Sequence, residues 1–128
     1  VFGGPEFICV KLNPTDFFND SVTDFKELKE TYTYLIKKLV SRKVGIINIS
    51  RRGADLQGRA GDFYSLFARP DGYPVPNGYD PVLAFGPLVK YPGSPSMLMA
   101  NHDYTVEEAD ILIKEEKLDL ITVGISTS

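Results

Sequence analysis

Residues 44–50 read VGIINIS, and this run decides the fold. It is short, nearly continuous in apolar character and rich in β-branched residues, which predicts a buried strand. A long amphipathic segment precedes it. Phe25, Leu28, Tyr32, Leu35, Ile36, Leu39 and Val40 fall on one face at helical spacing, while Lys26, Lys29, Lys37 and Lys38 take the others. That is a core-facing helix of about five turns. Ser21, with Asp24 three residues later, fits the capping-box pattern at its start. Upstream again lies FICVKL, Phe7 to Leu12, a second apolar run ended at Pro14. Its continuous apolar character suits a strand covered on both faces. Strand, helix, strand is a βαβ unit, and such units build parallel sheets through right-handed crossovers.

Downstream, residues 51–95 change character and become dense in Gly, Pro, Asp and Tyr. Connections this long are uncommon and often functional. Inside the stretch, Asp80 before Pro81 reads as an N-cap followed by proline at the first helical position. The helix it starts, PVLAFGPLVKY, is expected to be short and interrupted at Gly86 and Pro87. SMLMA, Ser96 to Ala100, is the third strand. Thr105 and Glu108 form another capping box, and Val106, Ala109, Leu112 and Ile113 supply an apolar helical face. LDLITV, Leu118 to Val123, is the fourth strand. The order is β-α-β, a long loop with a short helix, then β-α-β.

Composition sets the class. With 128 residues the chain is one domain, and 43% hydrophobic with 24% charged residues is the balance of a soluble globular protein. A formal net charge of -3 and a pI near 5.1 give no electrostatic reason to expect a nucleic-acid partner. No run of about 18 apolar residues is present, so no membrane span is expected and the cytoplasm is the expected location. VFGGPEF has no basic n-region or leader-like run, so no signal peptide is expected. The absence of an initiator methionine suggests a processed or excised piece. Cys9 is the single cysteine, so no internal disulfide forms; mid-strand, it is expected to pack as a small apolar side chain.

In open α/β sheets and barrels, ligands sit at the carboxyl ends of strands. Four such ends are expected here: Lys11 with Asn13, Ser50 with Arg51 and Arg52, Ala100 with Asn101 and His102, and Gly124. Lys11 interrupts an apolar strand near its exit. It is either solvated beyond the rim or aimed at an anionic or carbonyl ligand, because an unpaired buried cation is costly. SRRG, residues 50–53, is either a solvated loop or an anion clamp, since Arg grips phosphate and carboxylate bidentately. His102 is the only histidine, so any imidazole chemistry rests on it, and a two-histidine metal site is excluded. Asn101 begins a turn into a capped helix, where backbone N–H groups suit phosphate. The glycine-rich signatures of nucleotide folds and the G-x-S-x-G elbow are absent.

Several segments together carry a resemblance. VKLNPTD, YTYLIKKLVSRKVGIINISRRG, GPLVKYPGSPSMLMANHDYTVEEAD and KLDLITVG resemble fungal members of the old yellow enzyme family, FMN-dependent NAD(P)H oxidoreductases built on a TIM (β/α)8 barrel. The resemblance runs through residues 1–124 and follows the order of barrel strands five to eight, a C-terminal half barrel. It implies reduction of the C=C bond of α,β-unsaturated aldehydes and ketones, with NAD(P)H as reductant. Lys11 takes the place of the basic residue at the flavin N1/O2 edge. Ala100 and Asn101 match the turn whose backbone binds the FMN phosphate, and Gly124 ends the last strand beside it. The loop after Arg51 matches the substrate cover, with Phe63, Tyr64 and Phe67 as substrate contacts. No catalytic proton donor and no metal ligand falls in this stretch. The family places an arginine and a phosphate-binding turn after the Gly124 position, whereas here Ile125, Ser126, Thr127 and Ser128 follow as a non-family tail. A closed barrel of this kind has eight strands and about 250 residues. Four strands leave two open edges and one bare face. The expected partners are therefore a missing barrel half or a second copy of the chain. The alternative is a non-catalytic half barrel that self-associates through its exposed sheet.

Overall fold

The computed structural model describes residues 4–15, 24–52, 76, 78–102 and 104–123. Among these residues, a four-stranded, wholly parallel sheet carries three α-helices. The strands are β1 (Cys9–Leu12), β2 (Ile46–Ser50), β3 (Met97–Asn101) and β4 (Leu120–Ile121). The helices are α1 (Phe25–Ser41), α2 (Pro81–Val89) and α3 (Val106–Lys114). Spatial order equals chain order, β1-β2-β3-β4. A sheet that never reverses direction, crossed over with one hand, keeps its helices on one side.

Burial follows that rule. Leu12, Ile47, Ile49, Leu98 and Ala100 are buried in one cluster with Leu28, Ile36 and Val40 of α1 and Val82, Phe85 and Val89 of α2. Val10, Ile121 and Leu112 of α3 pack against the same cluster. The alternate residues point the other way. Cys9 and Lys11 are exposed, Ile46, Asn48, Met99 and Asn101 are half-buried, and Met97 and Leu120 are 44% and 38% exposed. Continuous apolar runs thus did not mean two covered faces: the second face is bare among the described residues. This corrects the placement of Cys9, which is exposed because its pleat position shares that bare face with Lys11.

Local chemistry explains the element ends. Asp24 is extended and its side chain accepts the Glu27 N–H at 2.8 Å, so Asp24 caps α1, while Ser21 lies outside the described residues. The stripe expected on α1 is the one that packs. At its far end Lys43 N–H bonds to Val40 O at 2.9 Å and Val44 N–H to Leu39 O at 3.2 Å, with Lys43 at φ 60. That is a Schellman turn with lysine where glycine is usual. Asp80 caps α2 through the Val82 N–H at 2.9 Å, with Pro81 in the first turn. The helix is not interrupted at Gly86 and Pro87 but runs to Val89. Pro87 and Leu83, the residue whose carbonyl it leaves unbonded, are both exposed, so water can serve that carbonyl. Gly86 sits against the sheet, where a Cβ would lie 3.0 Å from Leu98 Cδ2.

Strand boundaries shift. Phe7 is not in β1 but closes a 3-10 turn, Pro5–Phe7, whose Pro5 carbonyl accepts the Gly45 N–H at 3.0 Å. A Cβ at Gly45 would lie 2.0 Å from the Glu6 carbonyl oxygen, so this close approach requires glycine. β4 contracts to two residues, although Asp119 N–H and Thr122 N–H extend its bonding to Leu98 O and Ala100 O. α3 is capped by Thr105 through Glu108 N–H as expected. Its apolar face is only partly used, for Val106 is 67% and Ile113 41% exposed. The short edge strand beside α3 offers little surface for it to cover.

Candidate functional site

At the carboxyl ends of the strands the bare face turns polar. Register sets Lys11 opposite Asn48 and Ser50 opposite Asn101. The Asn101 side chain donates from Nδ2 to Asn48 Oδ1 at 2.7 Å. This bond fixes both amides while leaving the Asn48 amide N–H2 and Asn101 Oδ1 uncommitted among the described residues. Lys11, exposed at the next strand, makes no ion pair among the described residues. Met99, half-buried, adjoins Asn48 and continues the row toward Leu120. The described part of this face, from Cys9 to Leu120, holds one cation, two linked amides, thioethers and aliphatic groups, and no carboxylate. Such a surface suits a flat ligand with a carbonyl-rich or anionic edge.

Lys11 and Asn101 are therefore brought together on one face, at one end, with Asn48 between them. Asn48 was not singled out from the sequence. The signal was present, because an amide interrupts the apolar run VGIINIS just as Lys11 interrupts FICVKL. Ala100 faces the opposite way. Its side chain is fully buried beneath the helices and its carbonyl accepts the Thr122 N–H at 2.9 Å. Gly124, Phe63, Tyr64 and Phe67 lie outside the described residues.

Arg51 resolves one of the open alternatives. It is 1% exposed and its guanidinium forks onto Glu108, with Nη1 to Oε2 at 3.0 Å and Nη2 to Oε1 at 2.9 Å. Nε donates to the His102 carbonyl at 2.8 Å, and the guanidinium lies 3.6 Å from the centre of the Tyr104 ring. Burial alone lowers the pKa of this group. The Glu108 hydrogen bond, with the fields of Tyr104, Glu108 and Asp80, outweighs burial and raises it, so Arg51 stays a cation. Arg51 is thus the internal fastener of the rim, joining the end of β2 to the turn before α3. That turn is unusual in carrying His102 at φ 90, a left-handed conformation that side chains rarely adopt. Arg51 holds the His102 carbonyl in place, so the residue after Asn101 is locked. A second tie, Thr15 Oγ1 to the Arg52 carbonyl at 2.8 Å, joins the ends of β1 and β2. The rim that presents Lys11, Asn48 and Asn101 is braced on both sides.

Among the described residues no group of three or more His, Cys, Asp or Glu is placed to hold a metal ion. No helix among them is long and apolar enough to cross a membrane. Comparison with protein-family models, with curated proteins and with solved structures finds no match to this chain.

Proposed function

We propose that this chain is the second half, strands five to eight, of an FMN-binding (β/α)8 barrel of the old yellow enzyme type. Its bare sheet face is then the inner wall of the barrel. The observation that carries the reading is the placement of Lys11, Asn48 and Asn101 together on the uncovered face of a singly wound parallel sheet, at the carboxyl ends of its strands. A doubly wound sheet reverses its strand order and covers both faces, which this order does not do. A barrel keeps its helices outside and works at the carboxyl ends of its strands.

The residues fit the group. Lys11 supplies a positive charge for the N1/O2 edge of an isoalloxazine, where negative charge develops on reduction. The Asn48 amide N–H2 is a donor for a ring carbonyl, and its angle is set by Asn101. Met99 offers an apolar surface for the ring. FMN, when bound, supplies the hydride relay from NAD(P)H to the β-carbon of an α,β-unsaturated carbonyl compound. In this proposal the chain binds and polarises, and the groups that hold the substrate carbonyl and donate the proton belong to strands one to four.

Titration of FMN with the full chain, followed by flavin fluorescence, tests the reading. Saturable quenching is expected, weakened about tenfold or more by Lys11→Met, the size of one lost charged contact. An unchanged flavin signal at millimolar protein would refute it. A second reading is favoured by the exposure of Met97 and Leu120 on the same face. There the chain is a non-catalytic half barrel that pairs with a second copy through the sheet. Sedimentation without flavin separates the two, since a flavin-free homodimer belongs to the second.

A further inference from the structure

A trough of about 540 Å³ lies on the helical side of the molecule, away from the bare sheet face. Lys37, Val40 and Ser41 of α1, at i, i+3 and i+4, form one wall. Leu88 of α2 lines it too, with Tyr91 and Pro95. The volume falls in the range of small-molecule sites, about 300–1,000 Å³. We infer that this trough binds an amphiphilic monocarboxylate, an aliphatic or aromatic body ending in a single carboxylate.

Three features select that chemistry. The floor is apolar, with Val40 buried and Leu88 half-buried, and Pro95 and its neighbour Pro87 contribute no backbone donor. The rim is cationic. Lys37 and Lys43 both line the trough, neither makes an ion pair among the described residues, and no carboxylate lines it. This concentration of positive charge runs against a chain whose net charge is -3. The remaining polar groups do not oppose an anion. Ser41 donates its hydroxyl to the Lys38 carbonyl at 2.7 Å, and the half-exposed Tyr91 can donate.

The carboxyl end of α1 is the one opposing term. Its dipole amounts to roughly half a negative charge. Three of its last four carbonyls are already bonded: Leu39 O and Val40 O by the Schellman turn, Lys38 O by Ser41 and by Arg42 N–H at 3.1 Å. Two lysine charges at the rim exceed that residue of dipole, so the local field favours the anion.

Titration of the isotopically labelled full chain with sodium decanoate below its micelle concentration tests the inference, read by two-dimensional amide NMR. Decanol and decyltrimethylammonium serve as uncharged and cationic controls. Expected are saturable shifts at Lys37, Val40, Leu88 and Tyr91, with binding at least about tenfold weaker for decanol and absent for the cation. The double variant Lys37→Gln with Lys43→Gln should lose about tenfold in decanoate affinity. Both lysines are exposed, so the dispersed spectrum should persist, and the single variants should fall between. Equal binding of decanoate and decanol, an unaffected double variant, or shifts confined to Cys9, Met97 and Leu120 would each overturn the assignment. The outcome is independent of FMN binding, which reads on the opposite face.

Discussion

Arg51 and Glu108, 57 residues apart, meet through two parallel hydrogen bonds of 3.0 and 2.9 Å at the rim of the sheet. The pair locks the strand-to-helix turn that carries Asn101 and His102. Glu108 also closes the start of α3, since its N–H bonds to Thr105 Oγ1. One glutamate therefore sets the helix start by its backbone and anchors the neighbouring strand by its side chain.

Arg51→Ala should cost about 3 kcal/mol in a denaturant titration, because it strands a partly buried carboxylate and opens a hole under Tyr104. Arg51→Lys should lose less, about 1–2 kcal/mol, by replacing a fork with a point charge. A double-mutant cycle with Glu108→Gln should give a coupling of at least about 1 kcal/mol. Additive effects would show that the pair is no clamp.

Lys43 and Glu116 stand at φ 60 and 59, each just after a helix end. Glu116 N–H bonds to Ile113 O and Lys117 N–H to Leu112 O, so α3 ends in the same Schellman turn as α1. Each non-glycine residue there carries about 1 kcal/mol of left-handed strain. Lys43→Gly and Glu116→Gly should each raise the unfolding free energy, by up to about 1 kcal/mol in a denaturant titration, and should add. A loss in either variant would show that its side chain contributes more than its backbone costs.

Much of this was legible beforehand. Asp80–Pro81 and Thr105–Glu108 are local signals, and both cap the helices expected of them. The start of α1 was harder, because Ser21-x-x-Asp24 and Asp24-x-x-Glu27 are overlapping capping patterns, and Asp24 is the cap of the helix. Lys11 was legible as an interruption of an apolar run. Asn48 interrupts its own run in the same way, but its adjacency to Lys11 depends on register and was not legible. Asn48 to Asn101 and Arg51 to Glu108 span 53 and 57 residues, and no local rule pairs residues at such distances. Cys9 misled because apolar character says which residues are able to pack, not which pleat face a partner covers.

Asp80 gives a pH dependence. Burial pushes its carboxyl pKa up, and the Val82 N–H and the Arg51 charge offset this only in part. A raised folded pKa means the native state holds the proton more tightly than the unfolded chain does. Stability should then fall as pH rises from the unfolded value, about 4, through the folded one. Asp80→Asn keeps the cap and removes the charge. It should match wild type at pH 3 and exceed it by up to about 1 kcal/mol at pH 7. Asp80→Ala, which loses the cap, should instead cost about 1 kcal/mol.

Cys9 supplies a probe of the bare face. As an exposed thiol it should react with a disulfide reagent in native buffer about as fast as it does in denaturant. Slow labelling that accelerates only in denaturant would mean that something covers this face, and the sedimentation experiment would then identify a second copy.

The most direct measurement is a residue-resolved FMN titration of the full chain by amide NMR. The account predicts saturable shifts centred on Lys11, Asn48 and Asn101, diminished in Lys11→Met while the trough around Lys37 and Leu88 stays silent. Shifts confined to the helical side, or none at millimolar FMN, would contradict a flavin-facing inner wall.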